Sequence, residues 1–144
     1  MQLKDFPLAW RWTDEKYAVL PDDVLARIIP QTNEQAAQLF KRSLRFCGTD
    51  GVDERQFSLV QITTKNVEPA LVSAWLRACH CKAETMVFLS WQPDTAISTT
   101  WEIFVHYWSE FCYPESDDLN VWPEDNSWML LYHHEELFQF GRRA

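Results

Sequence analysis

Glycine is scarce in this chain, with three residues in 144. Phosphate-binding loops and the Gly-x-Ser-x-Gly elbow of serine hydrolases both need closely spaced glycines, because the backbone must turn tightly there or approach a ligand closely. Neither pattern occurs in the sequence. Nucleotide binding through such a loop and hydrolysis on such an elbow are therefore excluded.

Basic residues are missing from one long stretch. Between Ala83 and Gly141 there are eleven Asp and Glu and no Lys or Arg, whereas residues 1–82 hold ten acids and eleven bases. The formal net charge of −8 therefore arises in the C-terminal part of the chain. A negative field repels nucleic acid and anionic membranes and attracts cationic surfaces. We expect a basic protein as partner and neither nucleic acid nor membrane, while the oligomeric state stays open.

Long hydrophobic runs are absent as well. No stretch approaches the ~18 apolar residues that a spanning helix requires, and Lys4, Asp5 and Arg11 interrupt the first residues, where a secretory signal has an apolar core. The four cysteines need not pair, because 47% hydrophobic residues supply a core without disulfides. We expect a cytoplasmic protein with reduced thiols.

The N-terminal half is dominated by helical patterns. Pro21 and two acids predict a short helix that ends before Pro30. The pattern Thr32 to Gln35 predicts a capping box at the start of a helix that reaches Phe46. A strand over 57–63 and a helix over 67–79 capped by Asn66 follow. Apolar spacing predicts the buried faces of the two long helices as Ala36, Ala37, Leu39, Phe40 and Leu44, and as Leu71, Ala74, Trp75 and Ala78.

The C-terminal half is predicted to be richer in strands. A strand is predicted over 85–90, and its continuous apolar run Met86-Val87-Phe88-Leu89 indicates a central strand buried on both faces. The pattern Thr99 to Glu102 predicts a second capping box and a helix reaching Cys112. Strands are predicted over 119–122, 128–133 and 137–140, with a turn over 124–127. The chain is therefore predicted to be one α+β domain over 1–144, with an antiparallel or mixed sheet, a C-terminal three-strand meander and helices mainly on one face.

Metal-ligand side chains occur in two short clusters, Cys79-His80-Cys81 and His133-His134. The first lacks the spacing of a zinc knuckle, and consecutive histidines on a strand point to opposite faces. We therefore expect no metal, no cofactor and no catalytic residue. Cys112 lies on the apolar stripe of its helix, where a free cysteine acts as a small hydrophobic residue.

Aromatic residues stand beside acids in the C-terminal part. Tryptophan is favoured at protein interfaces, and an acidic surround would attract a basic partner. The predicted contact group comprises Asp117, Asp118, Trp122, Glu124 and Asp125. Packing within the sheet is the alternative for Trp122 and Trp128, which would then pair across the turn.

Two segments carry a resemblance to known families. Leu20–Phe46, with its Leu-Pro-Asp-Asp-Val-Leu-Ala-Arg-Ile-Ile-Pro entry, and Thr85–Arg143, with Thr99-Thr100-Trp101-Glu102-Ile103-Phe104, Trp108 and Phe140-Gly141-Arg142, resemble small uncharacterised bacterial proteins with a domain of unknown function. Trp128–Phe138 is similar to strand pairs of Smi1/Knr4-type immunity proteins. The resemblance implies a bacterial source and, through the second family, neutralisation of a toxin.

The leading hypothesis is a non-enzymatic binding protein whose acidic C-terminal face engages a basic protein, with toxin immunity as its most specific form. The alternative is a small hydrolase or metal-dependent enzyme that uses Cys112 or the His133-His134 pair in a pocket under the hairpin. A third possibility is that the acids serve solubility alone and that Lys41, Arg42 and Arg45 form the functional surface.

Overall fold

The computed structural model describes residues 1–48 and 50–144. After a 3-10 turn at Leu3–Asp5, the helices are α1 (Trp10–Thr13), α2 (Asp22–Leu25), α3 (Asn33–Phe46), α4 (Pro69–Cys79), α5 (Trp101–His106) and α6 (Trp108–Phe111). The strands are β1 (Ile29–Pro30), β2 (Cys47–Gly48), β3 (Gly51–Val52), β4 (Phe57–Thr63), β5 (Met86–Gln92), β6 (Thr95–Thr100), β7 (Leu119–Pro123), β8 (Trp128–His133) and β9 (Leu137–Arg143).

Seven strands form one sheet in the order β1-β6-β5-β7-β8-β9-β4, and every neighbouring pair is antiparallel. The three strands β7, β8 and β9 are consecutive in sequence and adjacent in the sheet, which confirms the predicted meander. β5 lies between β6 and β7, as its apolar sequence predicted. The strands β2 and β3 form a separate ribbon. The predicted α+β class is confirmed.

The sheet is covered on both faces. Helix α3 packs against β5 and β6, and its Ala36, Leu39 and Phe46 belong to the smaller of two cores. The larger core lies on the other face and takes side chains from α1, α4, α5 and α6. Strand β8 serves both cores because successive side chains point to opposite faces: Leu130 lies in the larger core and Leu131 in the smaller.

The two predicted capping boxes have different outcomes. In α3, the Thr32 hydroxyl accepts from the Gln35 amide and the Gln35 side chain accepts from the Thr32 amide, so this box is confirmed. The second box does not form. Thr100, not Thr99, caps α5 by accepting from the Ile103 amide, and the Glu102 carboxylate binds Arg77 instead. Thr99 and Thr100 belong to β6, a strand that the sequence did not predict, and the predicted single helix to Cys112 is two short helices.

The predicted buried face of α4 is wrong. Val72, Ser73, Leu76 and Cys79 are buried, whereas Leu71 is 62% exposed. The buried Ser73 hydroxyl donates to the Val105 carbonyl at 2.9 Å, which fixes the rotation of the helix against α5. The helix also starts at Pro69 and not at Val67, because Asn66 has a positive φ of 61° and cannot serve as its cap.

The helices of the described part of the chain are short. None of them is long and apolar enough to cross a membrane.

Candidate functional site

The loop between α6 and β7 carries two adjacent carboxylates with opposite environments. Asp117 is 6% exposed and receives two hydrogen bonds from the Arg11 guanidinium, at 2.7 and 3.1 Å. The Tyr113 amide also donates to Asp117, at 2.8 Å. Arg11 itself is 4% exposed and stacks over the Tyr113 ring at 3.9 Å. This ion pair joins α1 to the loop inside the protein, so Asp117 is not available to a partner.

Asp118 faces solvent, next to the turn between β8 and β9. Its Oδ1 accepts from the His134 amide at 3.0 Å and lies 2.9 Å from His134 Nδ1. Partial burial acts to raise the pKa of Asp118, but the hydrogen bonds and charge of His134 outweigh it and lower that pKa below its ordinary value of 3.8. Asp118 is therefore ionised at neutral pH and accessible.

The strand register explains why Asp118 meets the histidines. Leu119 pairs with Tyr132, so the preceding Asp118 lies beside His133, the last residue of β8. His134 is the first residue of the turn, so its side chain does not follow the alternating directions of the side chains in a strand. Its ring therefore stacks on that of His133, with centroids 4.2 Å apart. The expectation that these histidines point to opposite faces is wrong for this reason.

Trp122 is fully buried in the smaller core, between Phe46 and Phe88 at ring-centroid distances of 5.8 Å each. It packs in the sheet and cannot contact a partner. The predicted pairing of Trp122 with Trp128 across the turn does not occur, because the two rings lie in different cores.

Glu124 and Asp125 are exposed in the turn between β7 and β8. They are separated from Asp118 by the five residues of β7, which corresponds to about 20 Å along the strand. The same turn is contacted by Arg42, which binds the Asn126 side chain at 2.8 Å, and by Arg143, which binds the Asn126 carbonyl at 3.0 Å. The five predicted contact residues therefore do not form one surface: two are buried, and the other three lie at opposite ends of β7.

The end of the sheet around Asp118 gathers further acids. The Glu115 amide donates to the His134 carbonyl, and Glu135 and Glu136 form the rest of the turn. A groove of about 390 Å³ between this turn and the β2–β3 ribbon is lined by Cys47, Asp50, Asp118, Asn120, His133 and Glu135. We call this surface the acidic end, and define it by Asp50, Glu115, Asp118, Glu135 and Glu136.

The carboxylates of the acidic end, like Glu124 and Asp125, have no salt bridge to Lys or Arg among the described residues, in contrast to some other acids of the C-terminal part. Three other acids of the C-terminal part bind bases of the N-terminal part: Glu84 pairs with Arg27, Glu102 with Arg77, and Asp117 with Arg11. Within the described residues, no Lys or Arg forms a salt bridge with the acidic end. The charge asymmetry of the sequence is thus partly neutralised in the fold, and the carboxylates of the acidic end are among those that stay unpaired with Lys or Arg within the described residues.

Three of the four cysteines, Cys47, Cys79 and Cys112, lie in surroundings that disfavour the thiolate. Cys112 is 1% exposed, and burial, together with the charge of Asp117, raises the pKa of its thiol well above 9.0. Burial likewise raises the pKa of Cys79 to about 11 and, with a contribution from Asp53, that of Cys47 to about 11. These thiols are protonated at neutral pH, so a hydrolase mechanism that depends on Cys112 receives no support.

His80 and its neighbouring cysteines do not converge on one point. The His80 ring bonds to the Thr85 hydroxyl at 2.8 Å, Cys79 is buried and Cys81 is exposed. Among the described residues, the group in which three metal-ligand side chains come within reach of one another is Asp118, His133 and His134.

Sequence reasoning missed Asp50 and Glu135 as neighbours of Asp118. The signal for Glu135 was present in the sequence, because the predicted hairpin from 128 to 140 places the residues of its turn beside the start of the preceding strand. No local signal indicated Asp50, which reaches the groove through the β2–β3 ribbon.

Comparisons with protein-family models, curated proteins and solved structures find no match to this chain.

Proposed function

We propose that this protein is a non-enzymatic, cytoplasmic binding module that engages a basic protein partner through the acidic end. The observation that carries the proposal is the sorting of charge between the two ends of β7. Arg42 and Arg143 bind backbone carbonyls and the Asn126 side chain of the turn that carries Glu124 and Asp125. Among the described residues, no Lys or Arg forms a salt bridge or hydrogen bond with the residues that define the acidic end.

A surface with charge of one sign acts mainly on the rate of association with a partner. The carboxylates of the acidic end lie on one loop, one turn and the edge of one groove, so their fields add at short range. Such complementarity raises the rate at which a cationic partner docks, and it weakens with salt because the Debye length is only ~8 Å at physiological ionic strength. Binding is therefore expected to be fast and sensitive to salt.

Toxin immunity is the most specific form of this proposal. It is supported by the acidic end, which suits a basic nuclease toxin, and by the resemblance of Trp128–Phe138 to immunity proteins. That segment includes the turn that carries Glu135 and Glu136, so it overlaps the acidic end at these two residues. A bacterial source belongs to the same proposal.

The turns at the two ends of the sheet offer a matched test. Each contains two adjacent acids, Glu135-Glu136 between β8 and β9 and Glu124-Asp125 between β7 and β8. The variants E135Q/E136Q and E124Q/D125N therefore remove the same charge at opposite ends. Tagged wild type and both variants are used to capture proteins from lysate of the native host at low and high salt, and the recovered proteins are quantified by mass spectrometry.

We expect a basic protein in stoichiometric amount with the wild type and E124Q/D125N, and at least tenfold less with E135Q/E136Q or at high salt. Equal recovery by the two variants would contradict the assignment to the acidic end. Recovery of nothing by the wild type at low salt would contradict the binding function itself.

A further inference from the structure

We propose that Asp118, His133 and His134 form a binding site for a divalent transition-metal ion, with Zn²⁺ as the representative. One ligand atom from each of the three side chains lies within 4.8 Å of the other two. Two of these side chains are imidazoles and one is a carboxylate. Zinc binds both of these groups, as well as thiolates. The site shares Asp118 with the acidic end, but metal binding does not require the proposed protein partner.

The backbone holds the three residues in place. Asp118 precedes β7, His133 ends β8, and the pairing of Leu119 with Tyr132 puts them side by side. The His134 amide donates to Asp118 Oδ1, which anchors the turn to the carboxylate, and the φ of 63° at Glu136 closes the turn toward β9. The donors therefore converge because of strand register and turn geometry, and they do so without a metal.

The distances suit a small ion after modest side-chain adjustment. Zinc takes nitrogen and oxygen ligands at about 2.0–2.2 Å, so two ligands of a tetrahedral ion lie roughly 3.3 Å apart. Asp118 Oδ1 and His134 Nδ1 are already 2.9 Å apart, and an ion would replace the proton between them. His133 has to come closer, because the ligand atoms are only within 4.8 Å of one another, and binding through its Nδ1 would require release of the hydrogen bond that this atom accepts from the Glu135 amide. Asp118 and His134 are about half exposed, which leaves them free to adjust.

The ligand set favours one class of metal. Imidazole nitrogens suit Zn²⁺, Ni²⁺, Co²⁺ and Cu²⁺, whereas Mg²⁺ and Ca²⁺ prefer sites built from oxygen alone. Three protein ligands leave a coordination position for water or another group. The neighbouring groove has room for such a group, and its carboxylates Asp50 and Glu135 attract cations to it.

The test uses the purified full chain and Zn²⁺ alone, with isothermal titration calorimetry as the readout. We expect one ion per chain, with affinity lowered at least tenfold by each of H133Q, H134Q and D118N. The matched control is H106Q, because His106 is an exposed histidine of α5 that does not belong to the cluster. Chemical denaturation of each variant shows that the affinity changes do not arise from unfolding.

The proposal is overturned if the wild type binds no Zn²⁺, or if H106Q lowers the affinity as much as H133Q and H134Q do. The variant E135Q/E136Q separates this site from the protein-binding surface, because it retains all three ligands. It is expected to keep zinc affinity within a few-fold of the wild type while losing the basic partner. Failure of one proposal therefore leaves the other standing.

Discussion

Asp117 and Asp118 are neighbours in sequence but belong to two clusters with different physical roles. The inner cluster consists of Asp117, Arg11 and Tyr113, and the outer cluster of Asp118, His133 and His134. In the inner cluster, the side chains of Arg11 and Asp117 are 5% and 7% exposed, whereas those of His134 and Asp118 are 48% and 59% exposed. One cluster joins elements of the fold, and the other presents its groups to solvent.

The difference follows from the groups that take the place of water around each carboxylate. Asp117 has lost its water shell and is compensated by two guanidinium hydrogen bonds and a backbone amide. A buried charge of this kind is tolerable only while its partner stays in place. Asp118 keeps much of its hydration, so its interactions with His134 add little to stability and can be exchanged for others. Exchangeable interactions are what a binding site requires.

The largest expected effect is on the inner cluster. The substitution Asp117→Asn removes the charge that compensates Arg11 while keeping an acceptor for the Tyr113 amide. We expect it to lower the free energy of unfolding by about 3–5 kcal/mol, because an uncompensated guanidinium remains buried. Denaturant titration measures the change. The control Asp118→Asn is expected to lose less than ~1 kcal/mol. Equal losses in the two variants would remove the distinction between the clusters.

A second experiment tests whether Arg11 and Asp117 of the inner cluster stabilise the fold as a pair. Arg11→Met keeps much of the apolar stem and removes the charge, so the double variant R11M/D117N no longer contains a lone buried ion. We expect its loss of stability to be about 2 kcal/mol smaller than the sum of the two single losses. The double-mutant cycle is read from denaturant titrations of all four proteins. Additive losses would mean that each residue acts through separate contacts.

The parts of the fold that the sequence predicted are those determined by neighbouring residues. The capping box from Thr32 to Gln35 and the strands β4, β7 and β8 depend on short patterns, and they lie where the patterns place them. The face of α4 could not be predicted this way. Two apolar stripes alternate along that helix, and the choice between them rests on the hydrogen bond from Ser73 to Val105 in another helix.

Prediction of the candidate site from short sequence patterns is limited even more than prediction of the fold. Nothing local distinguishes Asp117 from Asp118, because both are acids in one loop. The residue that makes the difference is Arg11, which lies 106 positions from Asp117 in the sequence. The histidines are 16 positions or fewer from Asp118, but their convergence needs the register of β7 on β8 and the exact end of β8. A shift of that end by one residue would return His134 to the strand and separate the rings.

The smallest expected effect on the free energy of unfolding is that of Asp118 in the outer cluster. It is recognised by its dependence on pH. The pKa of Asp118 is lower in the folded protein than its ordinary value of 3.8, so the folded state binds this proton less readily than the unfolded state. The resulting stabilisation is present above pH ~4 and is lost as the pH falls through the folded pKa. We therefore expect wild type to exceed D118N by less than ~1 kcal/mol at pH 6, and by a smaller amount at pH 3, where protonation of Asp118 in the folded state removes part of the stabilisation. Denaturant titrations at both pH values measure this difference. In an H134Q background the advantage at pH 6 should shrink, because the His134 ring supplies a hydrogen bond and a charge that lower the pKa of Asp118. An advantage as large at pH 3 as at pH 6, or one that survives H134Q unchanged, would show that Asp118 supports the fold by a route other than its charge.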